Sequence, residues 1–182
     1  MYSEKIANSI RKYLDSREYD YVFNKDLARF MLYACSYQKI RIYPVYIYIA
    51  KVMAETRVVF PIGADEDKRS DAAEFISRAN HGLVFGCFSM NYDDGEILFK
   101  MRTCRWNEEL SEEEVRRVIE IPMEMACLFG DALLSVLCGL DSPAEAVRKA
   151  KSNIKIINRA GDSGGDQFVF EEEKPSIDFS CL

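Results

Sequence analysis

A chain of 182 residues with 48% hydrophobic and 12% aromatic content has enough apolar surface for one packed domain, which excludes a disordered chain. Its formal charge of -6 argues against a nucleic-acid partner, because affinity for phosphate backbones comes from Lys and Arg displacing counterions, and Arg41, Arg102 and Arg105 form no run. The longest apolar stretches, such as Val45 to Ala50, are too short to span a bilayer, so no membrane partner is expected.

The opening MYSEKIANSI is charged and lacks the apolar core of a secretion signal. Six cysteines, at 35, 87, 104, 127, 138 and 181, show no CxxC or other metal-type pairing. A reduced, cytoplasmic protein is the expectation, with Cys127 and Cys138 acting as small hydrophobes in a helix. Ile6, Ile10, Tyr13 and Leu14 recur at helical spacing and predict a helix from about Ser3 to Arg17. Phe30, Leu32 and Ala34 alternate with Met31, Tyr33 and Cys35, a strand pattern within the ambiguous segment Tyr19 to Ser36. Tyr43, Val45, Ile47 and Ile49 alternate with Ile42, Pro44, Tyr46 and Tyr48, giving a strand apolar on both faces. Pro44 places itself near the start of that strand or on an edge, since it cannot donate to a ladder. A third strand is expected over Thr56 to Phe60, reached by a Lys51-to-Glu55 connection.

Asp65 is placed to cap the next helix, whose apolar stripe is Ala72, Phe75, Ile76 and Ala79. That helix ends near Asn80, with Gly82 as a left-handed terminator. A β-hairpin follows. Phe88, Met90 and Tyr92 share one face of its first strand, and Ile97, Phe99 and Met101 share one face of its second. Asp93-Asp94-Gly95 supplies the turn, with Gly95 free to take a positive φ. Burying those six side chains contributes roughly 10 kcal/mol gross, at about 1.5–3 kcal/mol each, provided something covers them. The cover is expected from the helix after Ser111, where Ser111-Glu112-Glu113-Glu114 matches a capping box. Pro122 should kink or split that helix. Asp141-Ser142-Pro143 opens a last short helix, Ala144 to about Ser152. From Asn153 onward the composition changes to a glycine-rich linker, Gly161 to Gly165, then Phe168-Val169-Phe170 and three glutamates. Two units are therefore expected: a domain over 1–152 and an extension over 153–182.

No constellation in the chain announces chemistry. His81 is the only histidine and sits at a helix end, a structural position. Asp93 and Asp94 are accounted for by the turn, and Asp65, Glu66 and Asp67 by a helix start. Gly86, inside a strand pattern, signals a bulge or a close backbone approach. No catalytic, cofactor-binding or metal-ligating residue is assigned, and no cofactor is implied. The aromatic residues Tyr43, Tyr46, Tyr48 and Trp106 are candidates for protein binding, because aromatic side chains bury large area with a polar handle. Phe168 and Phe170 join them, since Phe168-Val169-Phe170 could add a strand to an open sheet edge in the same chain or a neighbour.

At the hairpin and its preceding helix the chain resembles the YbjN family of bacterial sensory transduction regulators. The matching residues are Phe60-Pro61, Glu74 to Asn80, Gly82-Leu83, Gly86, Phe88, Asn91-Tyr92, Asp94 to Ile97, and Ile121 to Met125, within residues 40–150. The resemblance implies an α+β fold similar to type III secretion chaperones: a twisted antiparallel sheet of about five strands with helices packed on it. It also implies a small acidic dimer that holds another protein or an extended peptide segment, and it carries over no catalytic residue. A non-enzymatic protein-binding module, chaperone-like or a regulatory adaptor, is the reading these features favour. The alternatives are a small enzyme using a carboxylate pair or a reactive cysteine, Cys87 or Cys104 first, and a transcription or signalling regulator.

Overall fold

A computed structural model describes residues 1–106 and 109–152. Residues 107–108 and 153–182 lie outside the described part, and with them the glycine-rich linker, Phe168 and Phe170. The first helix, α1 (Glu4–Ser16), is capped by the Ser3 hydroxyl, which accepts from the Ile6 amide, and it buries Ile6, Ala7, Ile10, Tyr13 and Leu14. Four strands follow as an antiparallel meander: β1 (Val22–Asn24), β2 (Arg29–Cys35), β3 (Ile42–Ile49) and β4 (Met53–Val59). A single 3-10 turn at Glu66–Lys68 leads into α2 (Arg69–Asn80). The hairpin β5 (Cys87–Met90) and β6 (Ile97–Cys104) comes next, then α3 (Glu112–Leu137) and α4 (Pro143–Ser152).

The six strands form one sheet in the order β1-β2-β3-β4-β6-β5, with every neighbouring pair antiparallel. The fold is α+β. Six strands replace the expected five because β1, only three residues long, is too short to show alternation. β4 begins at Met53, three residues before the expected Thr56. A tight connection closed by Ala50 donating to Met53 O at 2.9 Å takes the place of the longer loop. Charged Glu55 and Arg57 hid the start of β4, since they fall on the strand's outer face.

Burial alternates cleanly along the strands. Phe30, Leu32, Ala34, Tyr43, Val45, Ile47, Ala54, Val58, Phe88, Ile97 and Phe99 point inward and are buried. The helices cover that side: α3 lies against β6, β4 and β3, α2 against β5, and α4 against α2 and α3. An aromatic cluster ties the layers together. Phe88 meets Phe99 at 4.8 Å and Phe129 of α3 at 5.2 Å between ring centres, and Phe129 meets Phe75 of α2 at 6.3 Å. The helix after Ser111 is thus the lid of the hairpin. Tyr92 is the exception among the six expected side chains: it lies beyond β5, in the turn, and is exposed.

The turn itself forms as its residues dictate. Gly95 has φ +79, and a Cβ there would stand 2.1 Å from Ala64 O, so the position is closed to other residues on two counts. Asp94 accepts from the Glu96 amide at 2.9 Å and Asn91 from the Asp93 amide at 3.2 Å. Gly86 has φ +70, with the Phe99 ring 2.6 Å from where a Cβ would sit, a close backbone approach.

Three expectations need correction. Pro122 does not split α3, which runs unbroken for 26 residues; Val118, Ile119, Ile121, Met123 and Met125 around it are all buried, and that packing holds the helix across the missing N–H. Asp65 precedes the 3-10 turn but makes no side-chain cap bond. Cys138 is exposed rather than packed, because it is the C-cap residue of α3, whereas Cys127 is buried. The capping box at Ser111 and Glu114 is present, and a second joins Ser142 to Glu145 at the start of α4. Gly82 takes φ +92 past the end of α2, as expected.

Candidate functional site

Among the described residues, no helix lies on the opposite face of the sheet. The registers align its outward side chains into rows across the strands. One row runs Met31, Tyr46, Arg57, Lys100, Cys87, and the next runs Arg29, Tyr48, Glu55, Arg102. Tyr33, Pro44 and Leu98 lie in a third row. Pro44 is tolerated inside this sheet because of the hydrogen-bond phase. Ser36 donates to Arg41 O, which puts Pro44 opposite Tyr33 in a non-hydrogen-bonded pair, so its nitrogen faces β4, whose pairing with β3 begins only at Val45.

Two side-chain clusters organise the face. Arg29 lies over Tyr46 and Tyr48, its guanidinium carbon 4.8 and 5.6 Å from the ring centres, and Arg57 covers Tyr48 at 4.6 Å. The Arg29 Nε is buried without an acceptor, and no carboxylate pairs with this arginine among the described residues. Next to it Glu55 is 2% exposed, in ion pairs with Arg57 (2.6 Å) and Arg102, whose Nε also donates at 2.7 Å. Burial pushes the Glu55 carboxyl up, but the hydrogen bonds and charges of Arg102 and Arg57 outweigh it and hold the group below the usual carboxylate range. Glu55 is therefore an anion at neutral pH. It is also the only acid among the outward strand residues of β2, β3, β4 and β6, against Arg29, Arg57, Lys100 and Arg102. Arg57 and Lys100 face one another directly, a like-charge pair that a sheet tolerates poorly without a counter-anion.

The predicted site residues divide. Tyr46 and Tyr48 are half-buried on this face. Tyr43 is on the other side, fully buried, with its hydroxyl against α3 where a Cβ on Gly130 would come within 2.1 Å of it, so it leaves the candidate set. The period-two rule already separated Tyr43 from Tyr46 and Tyr48; clustering the three by proximity in sequence overrode it. Trp106, two residues past β6, is 80% exposed. Sequence reasoning missed Arg29, Arg57, Lys100, Arg102 and Tyr33. Their alternation was readable, but their convergence depends on strand register, which is not.

A second cluster lies where α1 meets α3. Tyr13 donates to Glu120, Arg116 stands 3.6 Å from Glu120, and Glu124 follows one turn later. Burial, and then the charge of Glu120, push Glu124 up to about 7. Glu124 can therefore hold a proton near neutrality. His81 is exposed at the C-cap of α2, and its carbonyl accepts from Lys151 Nζ at 2.8 Å. Cys87 and Cys104 both lie on the open face, half-buried and exposed. Among the described residues no three His, Cys, Asp or Glu converge as a metal site, and no helix is long and apolar enough to cross a membrane.

Residues 7–135 match the profile of a family described as "YbjN: Putative bacterial sensory transduction regulator". The chain belongs to the YbjN family. The match begins well before residue 40, so it takes in most of α1 together with β1 and β2, and it ends at 135, short of the 150 to which the resemblance extends. All five strands that supply the rows of the open face are inside it. No curated protein matches this YbjN-family chain.

Proposed function

We propose that this YbjN-family protein is a non-enzymatic protein-binding module, a regulatory adaptor of the bacterial cytoplasm with a chaperone-like mode of action. The observation that carries the reading is the uncovered sheet face, where Tyr33, Ile42 and Val22 are 44%, 50% and 60% exposed beside an excess of arginine and lysine. Apolar side chains scattered singly need no explanation, but aromatic and arginine side chains gathered on one open sheet have the composition of an interface core. A partner presenting an extended segment suits it, since outward side chains two residues apart on each strand offer repeating docking positions. We further propose that the protein acts as a homodimer, as the family resemblance implies.

Affinity purification from the source bacterium, with light scattering for mass, tests this. The tagged full-length chain should retain a defined partner at fixed stoichiometry, and Arg57→Gln with Lys100→Gln, which adds no carboxylate beside Glu55 and leaves its Arg102 pair in place, should weaken that retention while the circular dichroism stays unchanged. Equal retention by both proteins would remove the open face from the account, and a monomer mass would remove the dimer.

A further inference from the structure

The open face and the residues beyond Ser152 have opposite chemistry. The outward strand residues Arg29, Arg57, Lys100 and Arg102 outnumber Glu55, while the stretch from Gly161 to Glu173 holds Asp162, Asp166, Glu171, Glu172 and Glu173 and no Lys or Arg. Inside that stretch Phe168-Val169-Phe170 sits directly before the three glutamates. We propose that this segment, Asp166 to Glu173, docks in cis on the open sheet face of its own chain and competes there with the protein partner. The inference rests on the reading of that face as the binding surface.

Reach allows it. α4 ends at Ser152 and packs on α2, which in turn packs on β5, so the chain leaves the described part on the β5 side of the sheet. Fifteen residues separate Ser152 from Phe168, about 50 Å when extended at roughly 3.3 Å per residue. Six strands spaced about 4.8 Å apart make a sheet only about 24 Å wide.

The sheet edges are poorer acceptors than the face. β5 is four residues long, and the outward backbone groups of Phe88 are already satisfied: its amide donates to Asn80 Oδ1 at 2.7 Å and its carbonyl accepts from Asn80 Nδ2 at 3.0 Å. β1, the other edge, has three residues. On the face, by contrast, carboxylates meet Lys100, which faces Arg57 directly, and the exposed sides of Arg57 and Arg102, two cations that share the single Glu55 carboxylate. Phenylalanines meet Tyr33, Met31 and Ile42 in the adjoining rows. A single-stranded nucleic acid is a weaker fit, because base stacking needs free ring faces and arginines already lie on Tyr46 and Tyr48.

The test places a photo-crosslinking phenylalanine analogue at Phe170 of the full-length chain and maps the products by mass spectrometry. Cross-links to peptides carrying Tyr33, Tyr46 or Arg57, within a single chain, are expected. They should fall several-fold with Arg57→Gln/Lys100→Gln and in about 1 M salt, where exposed ion pairs are screened. Replacing Glu171, Glu172 and Glu173 by lysine should abolish them and increase partner retention by the intact face. Cross-links to the helical side, to the β1 or β5 edge, or to a second copy would overturn docking in cis on the face, as would their absence. If they are absent while partner retention still depends on Arg57 and Lys100, this inference alone fails. If neither depends on those residues, the binding-face reading fails with it.

Discussion

Three positions show how single residues decide between opposing effects. Glu55 is buried, a costly state for a carboxylate, yet it stays charged because Arg57 and Arg102 both reach it. Since its folded-state pKa is lowered, its contribution is present above the unfolded value and lost as pH falls through the folded one. Glu124 has the opposite sign. Raised from 4.5 to about 7, it binds its proton more tightly in the folded chain, so stability falls as pH rises between those two values. Glu124→Gln should therefore raise the melting temperature at pH 8, worth about 1 kcal/mol or more, and leave it unchanged at pH 4. Thermal denaturation across that range checks it; equal effects at both ends would refute the assignment. At Gly95, positive φ and the Ala64 carbonyl act together, and Gly95→Ala should cost at least about 2 kcal/mol in urea denaturation.

At the scale of elements, the chain was most legible where a local rule acts alone. Ser111 and Glu114 announce the start of α3, and the structure has both reciprocal bonds. Ser111→Ala should lower stability by about 1 kcal/mol, measurable by denaturant midpoint. Legibility failed where tertiary packing overrides a local signal: Pro122 reads as a kink or a split, but the buried Val118, Ile119, Ile121, Met123 and Met125 keep α3 continuous. It failed also where an element is too short for a period, as with β1, and where charges occupy alternate positions, as in β4. The Asn80 bond to the edge of β5 belongs to this scale too. Asn80→Ala leaves the Phe88 amide and carbonyl unpaired at a partly buried edge, a loss of about 1–3 kcal/mol together with exposed strand backbone. Faster hydrogen exchange at Phe88 than at Phe99 would register it.

For the whole molecule, the sequence showed that a helix layer would cover one side of the hairpin, because the apolar stripes of α2 and α3 need a partner. The other side was hidden. Arg29, Tyr46, Arg57 and Lys100 come from four different strands, and only the register of three separate pairings brings them into neighbouring rows. Among the described residues the result is a helix layer on one face of the sheet and none on the other, in a chain whose net charge of -6 concealed a cationic patch. The central claim is that this face is where the protein meets its partner. Photo-cross-linking from Tyr33, in cells of the source bacterium, tests it most directly, with Glu112 on the helical side as the control position. A discrete protein captured from position 33 and not from position 112 is the predicted result; equal capture from both, or capture from position 112 alone, would contradict it.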